Sequence, residues 1–309
     1  MDKQITGAEI QRAQNTAANI RLLAAQRQLY LDEKFLLCLQ VSLALLNAVL
    51  GALVALSATM SIYVLFAGLV VSVVNEGIGF FMGKKQEQAA RIQEQFDCSV
   101  LQLPWHQITS GETVPSEKIE AAARRFQRKQ HSPLQDWYIG SLEKVPFDAA
   151  RILCQRTNCS YDIALREKYL AGLSMGFGVA VAAVCFLGFF GAMSVQDWFL
   201  KLVGPLLPAF FVFMRQRQAQ VDSVKRLREL RAYADKLWRL FVSGKSSSKR
   251  LGEESRALQN ALFDHRRKSV VEFEWLYNRF RSELETAQSA SNDFLIEEFL
   301  TARAAQSKR

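Results

Sequence analysis

The chain has 309 residues, of which 50% are hydrophobic and 22% are charged. A chain with both properties is neither wholly soluble nor wholly buried in lipid, so we expect it to be part membrane and part aqueous. Its net charge of +9 does not require DNA or RNA as a partner, because an anionic inner leaflet attracts the same basic residues.

The first 34 residues are polar and contain five Lys and Arg residues, and no small-residue cleavage site follows the next apolar run. This pattern predicts an uncleaved anchor in place of a signal peptide. Apolar residues at helical spacing predict a cytosolic helix over residues 8–34. That helix either packs against the other cytosolic segments or lies on the membrane surface.

Residues 35–83 are almost entirely apolar, and Glu76 is the only charged residue among them. Crossing a hydrocarbon core of roughly 30 Å takes about 20 helical residues, so this stretch is long enough to cross twice. We therefore predict a first transmembrane hairpin, with helices over 35–56 and 62–82 and a turn at 57–61.

Polar side chains within this hairpin are candidate pore or gate residues. Gln40 and Asn47 fall near one face of the first span, where they either bond to another helix or line a pore. Asn75 and Glu76 lie in the second span, and an ionisable residue inside a span is a functional-site hypothesis. The alternative is that Glu76 reaches the inner interface or pairs with one of the two lysines that follow the span.

The central segment, residues 84–168, is predicted to be cytosolic. Residues 98–105 have the composition of a short extended run, and Ser116 predicts the N-cap of a helix that runs to about residue 129. The outer face of that helix either binds phosphates or is simply solvated, and its basic residues include Arg124, Arg125 and Arg128.

The rest of the central segment contains a loop at 131–140 and a helix that we expect Pro146 to begin, at the first helical position. From Asp162 the chain is predicted to re-enter a helix that runs towards the membrane. The further candidate ligand residues in the loop and in the first of these helices are Trp137, Tyr138, Arg151 and Arg156.

Residues 169–214 predict a second transmembrane hairpin, with spans over 169–193 and 198–214. Gly172 and Gly176 have the spacing of closely packed membrane helices. A kink in the fourth span, which is either a gate or a plain bend, is predicted by Pro205 and Pro208.

Residues 215–309 contain two series of apolar residues at spacings of three and four, which predict an antiparallel helical hairpin. The first series is Leu227, Leu230, Ala234, Leu237 and Phe241, and the second is Val270, Phe273, Tyr277, Phe280 and Leu284. The polar stretch 243–250 contains Gly-Lys-Ser but lacks the earlier glycine of a phosphate loop, so we interpret it as a linker.

The distribution of basic residues predicts the orientation of the spans. Lys and Arg number five in 1–34, thirteen in 84–168 and twenty in 215–309, whereas the two turns on the other side contain none. The positive-inside rule therefore places both termini and the central segment in the cytoplasm. The five cysteines have neither zinc nor disulfide spacing, which suits a reducing compartment.

Catalytic and metal-binding patterns are missing from the sequence. The three histidines have no Cys or carboxylate partner at ligand spacing, so we expect no metal site. No Gly-rich dinucleotide fingerprint, nucleophile elbow or kinase signature is present. We therefore expect a mostly α, polytopic membrane protein that is not an enzyme and has no cofactor. It is expected to have four transmembrane helices in two hairpins and a helical cytosolic domain assembled from the N-terminal, central and C-terminal segments.

Several short stretches are informative in combination. They are AAQRQLY at 24–30, QFDC at 95–98, LPW at 103–105, DWY at 136–138 and CQRTN at 154–158, followed by Asp162, Leu165, Arg166 and Tyr169. With them the chain resembles the SMODS-associating four-transmembrane effector family over roughly residues 1–300. The resemblance implies a membrane effector of CBASS-type anti-phage signalling in the bacterial inner membrane, encoded beside a cyclic-oligonucleotide synthase.

The resemblance also implies a mechanism, in which a cyclic nucleotide or infection signal makes the effector breach the bilayer and arrest the infected cell. A cyclic di- or trinucleotide site is expected to combine arginine with aromatic surfaces. The candidates are Arg124, Arg125, Arg128, Trp137, Tyr138, Arg151 and Arg156, and the alternative for Trp137 and Arg156 is core packing. Candidate pore or gate residues are Gln40, Asn47, Asn75, Glu76, Pro205 and Pro208.

Four spans make a poor pore, so a homo-oligomer in the lipid bilayer is expected. Two other functions remain open from the sequence. One is an ion channel or transporter without nucleotide control, and the other is a membrane scaffold that does not conduct.

Overall fold

The computed structural model describes residues 5–56, 61–128, 134–138 and 140–307, so part of the turn at 57–61 and part of the loop at 131–140 lie outside it. Regular structure in the described residues is helical, as predicted, apart from one β-bridge between Thr6 and Pro146. The helices are α1 (Ala8–Gln14), α2 (Ala17–Leu56), α3 (Ser61–Val100), α4 (Gln107–Ser110), α5 (Ser116–Gln127), α6 (Phe147–Phe190), α7 (Val195–Trp198), α8 (Gly204–Val242), α9 (Ser248–Arg266) and α10 (Glu274–Ser307).

Four helices contain a stretch long and apolar enough to cross a membrane, which confirms the four predicted spans. Helices α2, α3, α6 and α8 have 40, 40, 44 and 39 residues. At 1.5 Å per residue each is about 60 Å long, roughly twice the thickness of the hydrocarbon core. Each span therefore continues as unbroken helix well beyond the bilayer, and the predicted boundaries after residues 34, 83, 168 and 214 all fall inside these helices.

The four described spans form a row in the order α3, α2, α8, α6. Asn47 of α2 donates a hydrogen bond to Ser72 Oγ of α3 at 2.9 Å, and Gly51 of α2 lies against Pro205 of α8. The rings of Phe177 and Phe213 stack between α6 and α8 with centroids 4.4 Å apart. Helices α3 and α6 thus form the two edges of the row.

The remaining parts of these helices assemble with α1, α4, α5, α9 and α10 on one side of the spans into what we call the helical domain. Its main apolar core draws on the N-terminal, central and C-terminal segments alike, which confirms the predicted assembly. Members of this core that are at most 1% exposed include Ile10, Phe96, Leu153, Leu237 and Leu258.

The prediction of an extended run at 98–105 is wrong. Helix α3 continues to Val100, and the chain then turns through Gln102, whose φ of 49° is unusual for a residue other than glycine. Val100 is fully buried in the core, so tertiary packing keeps this β-branched residue in a helix that its local preference disfavours.

The helix predicted over 8–34 is interrupted, because α1 ends at Gln14 and α2 begins at Ala17. Asn15 at this break donates a hydrogen bond to Asp136 at 2.8 Å, so a side-chain contact to a distant loop competes with helix continuation. The opposite error occurs before Asp162, where no new helix begins. Helix α6 runs through this region without a break, since Cys159 and Ser160 are buried on its packed face.

Two helix starts are displaced by one residue from the predictions. Ser116 is the first helical residue and not the N-cap, which is Pro115. Pro146 is the N-cap of α6, and Phe147 takes the first helical position. Neither cap makes a side-chain hydrogen bond to the helix. A proline at either position suits a helix start, because its missing N–H group has no partner to lose there.

The C-terminal segment contains three helices in place of the predicted two. Helix α8 buries the first apolar series, but α10 carries most of the second and packs mainly on α6. The ring of Phe273 contacts Tyr169 and the ring of Tyr277 contacts Tyr161, with centroid distances of 5.8 and 6.4 Å. The hairpin partner of α8 is α9, most of which lies between the predicted linker and the second apolar series.

The connection between α8 and α9 is a short linker, as predicted. The N–H groups of Gly244 and Lys245 donate to Phe241 O and Leu240 O, which closes the C-terminus of α8 with Gly244 at φ 66°. Ser247 then caps α9 by accepting a hydrogen bond from the N–H of Arg250. The residues Gly244 and Lys245 of the Gly-Lys-Ser sequence therefore end α8 by capping its C-terminus.

Gly244→Ala is expected to lower the free energy of unfolding by about 1 kcal/mol, because alanine is strained in the left-handed conformation. Gly252→Ala in α9 is the matched control. Its added Cβ would meet only Arg151 at 3.9 Å, and alanine favours a helix, so it is expected to stabilise. Thermal unfolding in detergent measures both, and equal midpoints for the two variants would contradict the assignment.

Candidate functional site

Two cavities in the helical domain are large enough to consider as functional sites. The polar cavity, of about 210 Å³, lies among α2, α3, α6 and the α9–α10 connection, where the span helices enter the domain. The distal groove, of about 660 Å³, lies at the other end of the domain, around the α8–α9 linker. The two differ in the number of charged side chains, because four basic and three acidic residues line the polar cavity, whereas two basic residues and one acidic residue line the distal groove.

Arg166 is the central charge of the polar cavity and is 4% exposed. Its guanidinium contacts Asp162 Oδ1 at 3.1 Å, Gln220 Oε1 at 2.6 Å and Glu272 Oε1 at 3.0 Å. Burial works to raise the pKa of Asp162, but the charge of Arg166 outweighs it and holds that pKa below its usual range. Arg166 thereby joins α6 to α8 and to the segment before α10.

Two other buried carboxyl groups near the cavity have raised pKa values. Burial, assisted by the nearby charge of Glu272, raises the pKa of Glu33 to about 8. Burial also raises the pKa of Glu272 itself. Gln26 is 2% exposed, lines the cavity, and its Oε1 atom has no hydrogen-bond partner among the described residues. The polar cavity therefore contains many buried polar and charged groups, and the burial of Glu33, Glu272 and Gln26 costs the fold free energy.

A second buried charge cluster joins α3 to α9. Glu94 and Asp97 of α3 are both fully buried. Glu94 is bonded to Arg256, and Asp97 accepts hydrogen bonds from Arg266 at 2.5 Å and from Gln259 at 2.9 Å. Since an unpaired buried charge is costly, these contacts fix the position of α9 on the extension of the second span.

Sequence reasoning missed this cluster, although a signal was present. Glu94 and Asp97 continue the spacing of Ala90 and Leu101, so two acids occupy positions of an apolar stripe. Ala90 and Leu101 are fully buried. A carboxylate on a buried stripe needs a partner, and that inference alone identifies both residues.

The three predicted ligand arginines of α5 lie on the surface, outside both cavities. Arg124 pairs with Glu120 at 2.8 Å and Arg125 pairs with Asp32 at 2.7 Å, while Arg128 is exposed at the end of the helix.

The other four predicted ligand residues are spread over the domain. Trp137 lines the polar cavity and Arg151 lines the distal groove. Tyr138 is 2% exposed and donates a hydrogen bond to Asp97 at 2.7 Å. Arg156 pairs with Asp235 at 2.6 Å. The seven candidates therefore do not form one site, and only Trp137 and Arg151 face a cavity.

The polar residues of the first hairpin bond between its two helices. Besides the Asn47–Ser72 bond, Gln40 donates to the main-chain oxygen of Asn75 at 3.4 Å. These contacts favour the packing interpretation of Gln40 and Asn47 within one chain.

Glu76 is exposed on the outer face of α3 and makes no ion pair with a described residue. The lysines that follow the span are engaged elsewhere, since Lys84 lies over the ring of Phe80 and Lys85 pairs with Asp32. The suggested pairing of Glu76 with either lysine is therefore wrong.

The two prolines of the fourth span follow an irregular segment. Residues Phe199–Val203 form a π-helical turn, after which α8 begins with Pro205 in its first turn and contains Pro208 further on. Prolines deprive earlier carbonyl groups of their helical donors, and a π turn accommodates such a mismatch. The irregular turn therefore lies just before the two prolines, and the kink at Pro205 and Pro208 stays a prediction.

No group of three or more His, Cys, Asp or Glu side chains in the described part of the chain is arranged to hold a metal ion.

Comparison with known proteins gives a consistent result. Residues 8–295 match the SMODS-associating 4TM effector domain. A relative from Bacillus cereus (strain VD146), described as a probable CBASS effector molecule, is 25% identical over 272 residues, which cover 85% of this chain and 90% of the relative. No solved structure matches the chain.

The raised pKa of Glu33 predicts a pH dependence of stability. A buried carboxyl group whose pKa is raised in the folded state destabilises the fold progressively as pH rises from about 4.5 towards about 8. Glu33→Gln removes this penalty, so the thermal midpoint in detergent at pH 8 is expected to rise by about 2 °C or more, with little change at pH 5.

The control is Glu253→Gln, which alters an exposed side chain of α9. A midpoint for Glu33→Gln that follows the unmodified protein at every pH would show that Glu33 is not buried as a neutral acid.

Proposed function

Because the chain belongs to the SMODS-associating 4TM effector family, we propose that it is a membrane effector of CBASS-type anti-phage defence. A cyclic oligonucleotide, or another signal of infection, acts on the helical domain. The spans then form a pore or otherwise disrupt the bacterial inner membrane, and the infected cell stops growing. The genetic partner is a cyclic-oligonucleotide synthase.

The observation that carries this proposal is the continuity of the four span helices. Each of α2, α3, α6 and α8 has one part in the apolar spans and one part in the helical domain, without a loop between them. A displacement of a helix in the domain is therefore transmitted to its span as a rigid-body movement. A signal can drive such a movement only by binding one arrangement of the helices better than another.

The proposed orientation places the helical domain in the cytoplasm. The domain collects all the long basic segments on one side of the spans, whereas Lys201 is the one basic residue close to the opposite turns. The positive-inside rule favours this arrangement, and the domain then lies in the compartment where a nucleotide signal is made.

The row of spans supports a homo-oligomer. A row of four helices has two free edges and encloses no lumen, so a pore needs several chains. On the edge helices, Gly77 of α3 and Gly172 and Gly176 of α6 have open space where a Cβ atom would lie. The α3 edge of one chain would contact the α6 edge of the next chain. Such a head-to-tail contact closes a ring when the rotation between neighbouring chains is a whole fraction of a full turn.

The direct test is expression in bacteria with an active or an inactivated cyclic-oligonucleotide synthase, followed with a membrane-potential dye. Depolarisation only with the active synthase is the expected result. Depolarisation in both strains would instead indicate a channel without nucleotide control. Intact potential in both strains would indicate a scaffold that does not conduct.

The pore-lining hypothesis has its own test in the spans. Glu76→Gln and Asn47→Leu are expected to reduce or alter conductance and toxicity, because each removes a polar group from a span. Ser72→Ala is the matched control, since it removes the hydrogen-bond partner of Asn47 and leaves Asn47 in place.

If Ser72→Ala has the same effect as Asn47→Leu, then Asn47 acts through helix packing. Unchanged conductance in both Glu76→Gln and Asn47→Leu would refute the pore-lining assignment.

A further inference from the structure

We propose that the distal groove binds the phosphates of a cyclic di- or trinucleotide, with Arg151, Arg303 and the N-terminus of α9 as the binding groups. This inference rests on the proposed function, because that function supplies the nucleotide signal. It assigns the signal to a site that is separate from the polar cavity and from the basic face of α5.

The size of the groove suits such a ligand. Small-molecule sites commonly have volumes of about 300–1,000 Å³. The distal groove has about 660 Å³ and the polar cavity about 210 Å³. The former lies within the usual range for small-molecule sites and the latter falls below it.

Two helix N-termini lie at the groove, and that of α9 has free N–H groups that favour an anion. Helix α6 begins at Phe147 and α9 begins at Ser248, and both residues line the groove. The main-chain N–H groups of Ser248 and Lys249 have no hydrogen-bond partner among the described residues. Free N–H groups and the helix dipole together make a phosphate site.

Arg151 is a second feature of the groove that favours an anion. It is 8% exposed and lines the groove, and its Nε atom has no hydrogen-bond partner among the described residues. A buried guanidinium with a free N–H group can donate a hydrogen bond to a phosphate oxygen without first being desolvated. Arg303 of α10 adds a second guanidinium at the rim of the groove.

Asp148 now occupies the position that a phosphate would take. Its carboxylate binds both Arg151 and the hydroxyl of Ser248, so it holds α6 and α9 together with an internal anion. A bound phosphate would compete with this carboxylate for the same groups. Ligand binding is therefore expected to release the N-terminus of α6 from α9.

The groove also contacts the ends of three span helices, which gives the binding event a route to the membrane. Gln102 follows the end of α3, Phe147 begins α6 and Val242 ends α8. The lining of the groove includes the rings of Phe147, Phe241 and Phe299, which suit the faces of nucleobases. A ligand that bridges these ends acts on three spans at once.

The distance from the bilayer identifies the source of the phosphate. Arg151 and Tyr169 lie on one helix, and their separation of eighteen positions corresponds to about 27 Å at 1.5 Å per residue. Tyr169 is where the third span was predicted to begin. Lipid headgroups do not reach this far, so the groove is suited to a soluble phosphodiester.

The test is a binding measurement on the purified full chain in detergent, with cyclic di-AMP, cyclic di-GMP and cyclic tri-AMP as separate probes. Arg151→Gln and Arg303→Gln are expected to weaken the binding of the recognised probe by about tenfold or more. Ser246→Asp, which places a carboxylate in the linker wall of the groove, keeps the test valid if Arg151→Gln does not fold.

Asp148→Asn distinguishes ligand binding from a structural role. Because it removes the competing carboxylate, it is expected to tighten binding, whereas loss of structure would weaken it. Arg226→Gln, at an exposed arginine of α8 that pairs with Glu229, is the control and is expected to bind as the unmodified protein does.

Opposite changes in Arg151→Gln and Asp148→Asn support the proposal. Binding of a probe that none of the groove variants alters would overturn the groove assignment while leaving the nucleotide trigger intact. Absence of binding by every probe to the unmodified chain would overturn both the groove and direct sensing, and the membrane-potential experiment would still test the effector function separately.

Discussion

Buried charges in the helical domain determine how the spans are arranged. Glu94 and Asp97 hold α9 on the extension of α3, and Arg166 holds α6 against α8 and the start of α10. Removing one partner from a buried pair typically costs about 3–5 kcal/mol, since the other charge is left in a poor solvent. These pairs fix the positions of the helices relative to one another in the domain. Because the same helices continue into the membrane, the pairs also influence the positions of the spans.

The spans themselves are joined by weaker contacts. The hydrogen bond of Asn47 to Ser72, the contact of Gly51 with Pro205 and the stacking of Phe177 on Phe213 connect the row. Lipid is as apolar as these side chains, so burial supplies little drive for association inside the bilayer. A signal that rearranges the domain would therefore meet little resistance in the spans, which is the physical basis of the proposed coupling.

The sequence was sufficient for the parts of the fold that depend on local composition. Four spans follow from apolar runs of the right length, and the structure agrees with all of them. Tertiary contacts decided the remainder: burial of Val100 extended α3, and the Asn15–Asp136 bond divided the first helix. For the candidate site, the search for arginine residues identified Arg151, but the sequence could not distinguish an arginine that lines a groove from Arg124, which lies on the exposed face of α5.

The central claim is that an event in the helical domain moves the spans through unbroken helices. Spin labels at positions 62 and 195, both exposed at the ends of spans remote from the domain, would report this movement in a chain whose exposed Cys38 and Cys185 are replaced by serine. Double electron–electron resonance in nanodiscs, with and without the nucleotide that depolarises cells, measures the distance between them. The account predicts a shift of several ångströms on nucleotide addition. An unchanged distance distribution under conditions where the protein permeabilises the same membranes would contradict it.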